Sequence, residues 1–349
     1  VNFATGDDLR ALVDSVAEFF ERRGDAEAIA QASTTSVLPD RQRWTALCDL
    51  GVPVFRVPEP DGIGARLLDA TALAEQTGAV LLPEPAVGTM ILANAWRSHP
   101  SADEMLAALC SGSRIVTLGG LDVAAFSPSG GVSGRVRVPF DTVTDAVALL
   151  ANDQYTAGRA LVILDRSELP SGGVDVGTDP TRPTSVIEFE GVEPTDVLRL
   201  NDGAADELRR EIAVLACAEL VGGMQRVLTD TVAFVKSREQ FGRSIGSFQA
   251  IKHRLADMYA LTEQARALTQ FAAAGNGTET ASLVSSAARW IPRSAINLFE
   301  DAVHLHGAMG FSWEVSVHLH LRRALDVRDG LNALETSLAV HHSAAKEAV

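Results

Sequence analysis

Two short segments of this chain gather the residue types that can hold an anionic group. The first reads Lys236-Ser237-Arg238-Glu239-Gln240-Phe241-Gly242-Arg243-Ser244-Ile245-Gly246-Ser247-Phe248-Gln249 and continues to Met258. It sets a guanidinium, an amide and an aromatic ring within a few positions. Taken alone, Arg-x-x-Phe-Gly also describes a solvated arginine beside a core phenylalanine. The second reads His304-Leu305-His306-Gly307-Ala308-Met309-Gly310-Phe311. Glycines there would let a backbone amide approach a phosphate closely, although Gly307 could equally be a helix stop. His304 and His306 do not suggest a metal site, because residues two apart on a helix face different sides.

The bulk of the sequence narrows the choice of ligand. The chain has 349 residues, 46% hydrophobic and 21% charged, a globular composition with room for two or three packed units. Its formal net charge of −15 disfavours nucleic acid, but net charge does not fix local potential, and a basic groove for an anion remains open. The three cysteines, Cys48, Cys110 and Cys217, are dispersed in apolar surroundings. They give neither a disulfide framework nor a metal spacing, and suit buried thiols in a reducing cytoplasm. No apolar run is read as reaching the ~18 residues of a membrane span. The opening Val1-Asn2-Phe3-Ala4-Thr5 shows no signal-peptide pattern.

The elements that must position these segments follow from periodicity. Over residues 1–112 the pattern is helical. Leu9, Leu12, Val13, Val16, Phe19 and Phe20 draw one stripe, with Asp7 or Asp8 as a candidate cap. A second helix carries Trp44, Leu47, Cys48 and Leu50 and stops at Gly51. Leu67–Gln76 and Ala102–Cys110 read as further helices. Over 113–203, short aliphatic runs such as Val147–Leu150, Leu161–Leu164 and Val186–Phe189 lie between Gly, Pro and Ser clusters, and predict a small antiparallel β unit. Over 204–349, Leu208–Val235, Phe248–Ala274, Thr278–His306 and Leu331–Val349 predict four long helices in a bundle.

That α, β, α order, with the two segments in sequence, resembles the acyl-CoA dehydrogenase family. The likeness is strongest to the smaller accessory subunit of actinobacterial heterotetrameric enzymes that act on steroid side-chain CoA thioesters. It implies an α+β fold: an N-terminal helical domain, a middle β domain and a C-terminal four-helix bundle. It also implies FAD, with one chain holding the flavin ring and a neighbour's bundle holding the pyrophosphate and adenine. Carried over by position, Arg238 would pair with the pyrophosphate, Gln240 would donate to it and Phe241 would pack on the adenine side. Ile245, Phe248 and Gln249 would continue that surface. His304, Gly307 and Ala308 fall where the family has Gln-x-x-Gly-Gly. The chain departs from that pattern at His304 and Ala308, and His304 can still donate a hydrogen bond.

The resemblance also shows what is missing. The family's usual base is a glutamate in a turn, and that seat falls near Leu331, which cannot take a proton. Asp329, before Gly330, is a shorter stand-in. Some relatives seat the base on the first bundle helix, which gives Ile212. Glu211 is adjacent, but one residue turns a helical side chain by ~100°, and it reads as a solvated first-turn acid. Glu219 reads as structural or at a subunit contact. Where relatives carry a hydroxyl-rich flavin-binding segment, this chain has Thr117-Leu118-Gly119-Gly120-Leu121-Asp122-Val123-Ala124. Thr142–Asp153 lacks the family's tryptophan.

The expected role is therefore a subunit that lends the phosphate and adenine half-site to a catalytic, homologous partner. Together they would introduce a 2,3-double bond into an acyl-CoA, with an electron-transfer flavoprotein as acceptor. The alternatives are a self-sufficient homotetramer with Glu211 or Asp329 as base, and a flavin-free scaffold. Bundle helices such as Leu208–Val235 are expected to carry more apolar surface than one chain buries. Sedimentation should accordingly find an obligate oligomer with interfaces of ~2,000 Å² or more; a stable monomer is the opposing result.

Overall fold

The computed structural model describes residues 6–347, apart from 24–39, 98, 121–123, 142, 157, 172, 176 and 276–277. The opening Val1–Thr5 stretch and the 121–123 part of the segment after Thr117 thus lie outside the described residues. The chain begins with helices α1 (Asp7–Arg23), α2 (Arg41–Asp49), α3 (Leu67–Ala79), α4 (Ala86–Trp96) and α5 (Ala102–Cys110). Asp7 sits within the first turn of α1 rather than capping it; the Asp8 side chain is outside the described residues. Asp40 caps α2, accepting from the amides of Gln42 at 2.8 Å and Arg43 at 3.4 Å. The chain turns at Gly51 with φ +79°. Helix α4 was not foreseen. It is buried on nearly every side, so it has no polar face to mark a stripe against.

The middle of the chain forms one eight-stranded sheet. Its strands are β1 (Val116–Leu118), β2 (Ala124–Ser127), β3 (Gly131–Pro139), β4 (Ala146–Asp153), β5 (Gly158–Asp165), β6 (Val174–Asp175), β7 (Thr184–Val192) and β8 (Asp196–Leu200). The order is β6-β7-β3-β2-β4-β5-β8, with β1 also beside β4. The sheet is mixed rather than antiparallel: β1 and β2 run parallel to β4, against its first and second halves. Alternation along β4 gives the sheet two working faces. Ala146, Ala148 and Leu150 join the core of the helices. Val147, Leu149 and Ala151 join a separate core with Phe126, Val136 and Phe189.

Four long helices follow: α6 (Asp202–Ser237), α7 (Gln249–Ala274), α8 (Thr278–His306) and α9 (Val317–Glu347). The last begins at Val317, not Leu331, so Asp329-Gly330 is helix interior and not a turn. Among the described residues α6 is the one helix long and apolar enough to cross a membrane, although no such run was expected; 72% of its apolar window is buried inside the fold. It is not the surplus apolar surface the sequence suggested. The exposed large apolar residues lie elsewhere, at Tyr155, Phe241, Tyr259, Phe271, Met309, Phe311 and Trp313. Helices α3 and α6 touch backbone to backbone. A Cβ at Gly78 would fall 1.9 Å from the Glu219 carbonyl oxygen, and one at Gly222 would fall 1.9 Å from that of Glu75. Only glycine permits this approach.

The loop between β6 and β7 is locked onto the bundle by buried charge. Asp179 pairs with Arg323 of α9, whose Nη2 donates to Thr181 Oγ1 at 2.7 Å. Arg182 donates to Glu219 of α6 at 2.7 Å. Asp326 accepts from the Asp179 amide at 3.1 Å. Burial alone would raise the Asp179 pKa, but Arg323, Thr181 and Arg182 outweigh it and hold it below its ordinary value. Beside this cluster His320 packs under Phe299, and a Cβ at Gly223 would fall 2.9 Å from its Nδ1. Burial, then Arg323 and Arg226, push its pKa down to about 3. Between pH ~6.5 and about 3 the unfolded chain therefore binds a proton that the folded chain refuses. Stability should fall as pH drops through that window, by up to about 1.4 kcal/mol per pH unit from this group. His320→Asn should flatten that part of the curve in urea unfolding followed across pH; an unchanged slope would refute the assignment.

Candidate functional site

The two segments of interest meet in one groove of about 280 Å³. Helix α6 ends at Ser237, and the Arg238 amide still donates to Phe234 O at 2.9 Å. The chain then makes a two-strand hairpin, β9 (Glu239–Gln240) and β10 (Arg243–Ser244), with Gln240 opposite Arg243. Its turn residues Phe241 (φ +56°) and Gly242 (φ +74°) are both left-handed, as a tight turn matched to strand twist requires. The Ile245 amide donates to Arg238 O at 2.8 Å, and Ser244 Oγ to Val235 O at 2.7 Å. These bonds hold the hairpin against the helix end. The opposite wall is the end of α8 and the 3-10 turn Gly307–Phe311. Gly307, at φ +62°, ends α8. Gly310 packs where a Cβ would meet Val303 O at 2.5 Å.

Arg238, Gln240, Ile245, His304, Gly307 and Ala308 all line this groove. Arg238 is exposed and, among the described residues, has no ion-pair partner. Phe241, Phe248 and Gln249 are not in its lining. Phe241 is 92% exposed and meets Phe248 edge-on at 6.2 Å, while Arg243 lies over the Phe248 ring at 4.0 Å. Gln249 is exposed at the start of α7. A bulky residue with positive φ is strained by about 1–3 kcal/mol, and its ring here gains little from its own chain. Sequence reading missed Phe234, His306 and Met309, which also line the groove. Phe234 lies one turn before Arg238, so helical spacing could have found it. His306 stacks on Phe234 at 4.4 Å. Its Nδ1 faces Ala302 O at 2.8 Å, and a carbonyl only accepts, so Nδ1 carries the proton.

A second cavity, about 150 Å³, lies between α4, the end of β1 and the first half of α6. Thr117, Leu118, Arg182, Ile212 and Glu219 line it. It holds the would-be base seat, Ile212, and the start of the eroded flavin segment. The Thr117 hydroxyl is engaged with that of Thr144 at 3.2 Å. Both acids in the lining are paired. Glu84 meets Arg43 at 2.8 Å and Glu219 meets Arg182 at 2.7 Å. Ligand pockets commonly span ~300–1,000 Å³, so the cavity is small for a ring system and an acyl chain together.

Neither candidate base reaches this cavity's lining. Glu211 is not a solvated acid. It is 2% exposed, and its two oxygens accept from Arg56 Nε at 2.8 Å and Asn94 Nδ2 at 3.0 Å. Asp329 pairs with the adjacent Arg328 at 2.9 Å on a partly exposed side of α9. Leu331 is buried in the core of the helices. Glu219 is structural within the chain. Two thiols, Cys48 and Cys217, are buried and pushed up to about 12 by that burial. No cluster of metal-ligating residues occurs among the described residues.

The architecture matches solved structures along its whole length. The ChsE4-ChsE5 complex from Mycobacterium tuberculosis aligns with a TM-score of 0.83 at 23% identity, over 99% of this chain and 99% of that one. The Tcur3481-Tcur3483 steroid ACAD G363A variant aligns with a TM-score of 0.83 at 23% identity, over 97% and 99%. These share a fold of helices, β domain and helical bundle. In sequence, residues 209–328 match the family "Acyl-CoA dehydrogenase, C-terminal domain". Acyl-CoA dehydrogenase IpdE2 of Mycolicibacterium smegmatis is 31% identical over 316 residues, 90% of this chain and 91% of that protein. The chain belongs to the acyl-CoA dehydrogenase family.

The pairing of Glu211 generates a stability test. Glu211→Ala leaves Arg56 buried without its counter-charge and should cost roughly 3–5 kcal/mol in urea unfolding. Asp329→Ala, at a partly exposed site, should stay within about 0.5 kcal/mol. Equal, small effects would mean that Glu211 is not a structural ion pair.

Proposed function

We propose that this chain is a subunit of an FAD-dependent acyl-CoA dehydrogenase. It lends the groove of Arg238, Gln240 and His304 to the phosphates and adenine of an FAD whose ring sits in a homologous partner chain. The partner supplies the base, and the complex oxidises an acyl-CoA thioester at its α,β-bond. One observation carries this reading: among the described residues lining the two pockets, the guanidinium of Arg238 in the groove has no ion-pair partner, while both carboxylates lining the second cavity are paired. An unpaired guanidinium suits a phosphate oxygen. A base for α-proton removal must be a free carboxylate within reach of the substrate.

The residues fit the phosphate end of such a cofactor. Arg238 and Gln240 would donate to it, and the exposed, strained Phe241 would gain a face to pack on. When bound, FAD supplies the acceptor for the β-hydride; positioning the α-proton for removal falls to the partner. The similarity to a steroid ACAD and to the ChsE4-ChsE5 complex supports a two-chain, α2β2 assembly acting on a steroid side-chain CoA. An electron-transfer flavoprotein is the acceptor we propose.

Arg238→Ala should remove a charge-assisted contact of ~1.5–3 kcal/mol, so about tenfold to a hundredfold in FAD affinity, while the fold survives. Unchanged FAD occupancy at limiting FAD would make Arg238 a surface residue. In the assembled complex, Glu211→Gln and Asp329→Asn should leave turnover nearly unchanged wherever the protein is folded. Loss of a true base costs ~10²–10⁴-fold. A drop of that size with FAD still bound would make this chain the catalytic one.

A further inference from the structure

The groove of Arg238 has a second polar wall whose chemistry is not that of a cation. His306, the last residue of α8, lines it and is only 6% exposed. Its ring is held in two ways. Nδ1 donates to Ala302 O, one turn back, at 2.8 Å. One face stacks on Phe234 of α6, with the ring centres 4.4 Å apart and the planes 22° from parallel. Turning the ring over would give up the bond to Ala302.

A neutral imidazole carries one ring proton. Because Nδ1 holds it, Nε2 keeps its lone pair and can only accept. With Nδ1 turned to its own helix, Nε2 is directed away from α8. It has no partner among the described residues, and it is not enclosed. His318 Nδ1 and His320 Nε2 also lack partners, but both are shut away from any surface. A ligand in the groove can reach His306 as it cannot reach those two. An acceptor at this place sorts ligands by the part of them that it meets. Phosphate oxygens suit the guanidinium of Arg238, whereas an anionic oxygen set against the Nε2 lone pair is repelled. A hydroxyl or an amino group satisfies Nε2.

We infer that His306 is a specificity-determining residue of this groove: its Nε2 accepts a hydrogen bond from a hydroxyl or amino group on the nucleoside side of the ligand. The groove then selects an adenosine diphosphate group over a diphosphate that lacks that donor. Phe234 and Ala302 keep the acceptor aimed. The inference rests on the FAD reading above and deepens it, because Arg238 and His306 divide the recognition of one ligand into its charge and its nucleoside.

The test titrates the full chain with three ligands by calorimetry. ADP is the fragment of FAD that this groove would hold. 2′,3′-Dideoxy-ADP lacks the ribose hydroxyls, and purine riboside diphosphate lacks the amino group. One analogue should bind roughly three- to tenfold more weakly than ADP, the worth of one net hydrogen bond, and so identify the donor. His306→Phe keeps a ring against Phe234 and removes the acceptor. It should weaken ADP by the same factor and bind ADP and that analogue alike. Arg238→Ala should weaken all three ligands and leave their order unchanged. If the phenylalanine variant does not fold, nitrogen NMR of the histidine-labelled chain decides: Nε2 of His306 should be the unprotonated nitrogen and should shift upfield when ADP binds. Equal binding of the three ligands, a preference that survives in His306→Phe, or an Nε2 resonance that ADP does not move would overturn the inference, and the FAD reading would stand as long as Arg238→Ala weakens ADP. No binding of ADP, or binding indifferent to Arg238→Ala, would overturn both.

Discussion

A charge inside a protein must be paired, and the seam between sheet and bundle is arranged around that requirement. Asp179 and Arg182 enter it from the loop between β6 and β7, Glu219 from α6 and Arg323 from α9, with signs alternating. Removing one member of such a set strands the others, typically at 3–5 kcal/mol, so the loop carrying Asp179 and Arg182 has one way to sit. That placement puts the Arg182 guanidinium in the lining of the second cavity. The clamp that joins the sheet to the bundle thus also helps to set the cavity's polarity and size. The same residues that make the architecture rigid leave no free acid there.

Helix α6 transmits this constraint along its length. Near its start Glu211 is tied to Arg56 and Asn94. In its middle Gly222 is pressed against the Glu75 carbonyl. Its end delivers Arg238 into the hairpin. Because the helix is pinned at two levels before it reaches Arg238, the position of that residue is set by the core and not by the hairpin alone. A site built on rigid elements is more precise than one on loops. The strained Phe241 is affordable at this point because the ladder and the Ile245 amide hold the turn on both sides.

Much of this was legible in the sequence, and the parts that were not failed for physical reasons. The extent of α8, Thr278–His306, and of α5, Ala102–Cys110, followed from periodicity because both helices bury one side more than another. Helix α4 was invisible because burial all round removes the stripe. The parallel pairing of β1 and β2 with β4 could not be read, since strand direction depends on partners far away in sequence. Glu211 was misjudged for the same reason: its counter-charge, Arg56, is 155 positions away. Arg238, Gln240, Ile245, His304, Gly307 and Ala308 were placed together because two local motifs carry them, whereas Phe234, His306 and Met309 were passed over. The clamp was not foreseen, because its members are drawn from the loop between β6 and β7 and two helices.

The distribution of unpaired charge separates the two regions more sharply than their shapes do. An acid in an ion pair is a poor base, because taking a proton also breaks the pair, and that penalty lowers its pKa further. Glu84 differs in that burial outweighs its partners and holds its pKa above the ordinary value, although Arg43 and the Asp40 amide both bind its charged form. To act as a base it would have to give up its pair with Arg43. A cation such as Arg238 faces no such penalty. It is solvated when alone, loses nothing of its own chain on binding, and can exchange water for a phosphate oxygen directly. Holding an anion at Arg238 would therefore need no contact within this chain to break, whereas proton abstraction by Glu219 would require breaking a contact that holds the sheet to the bundle.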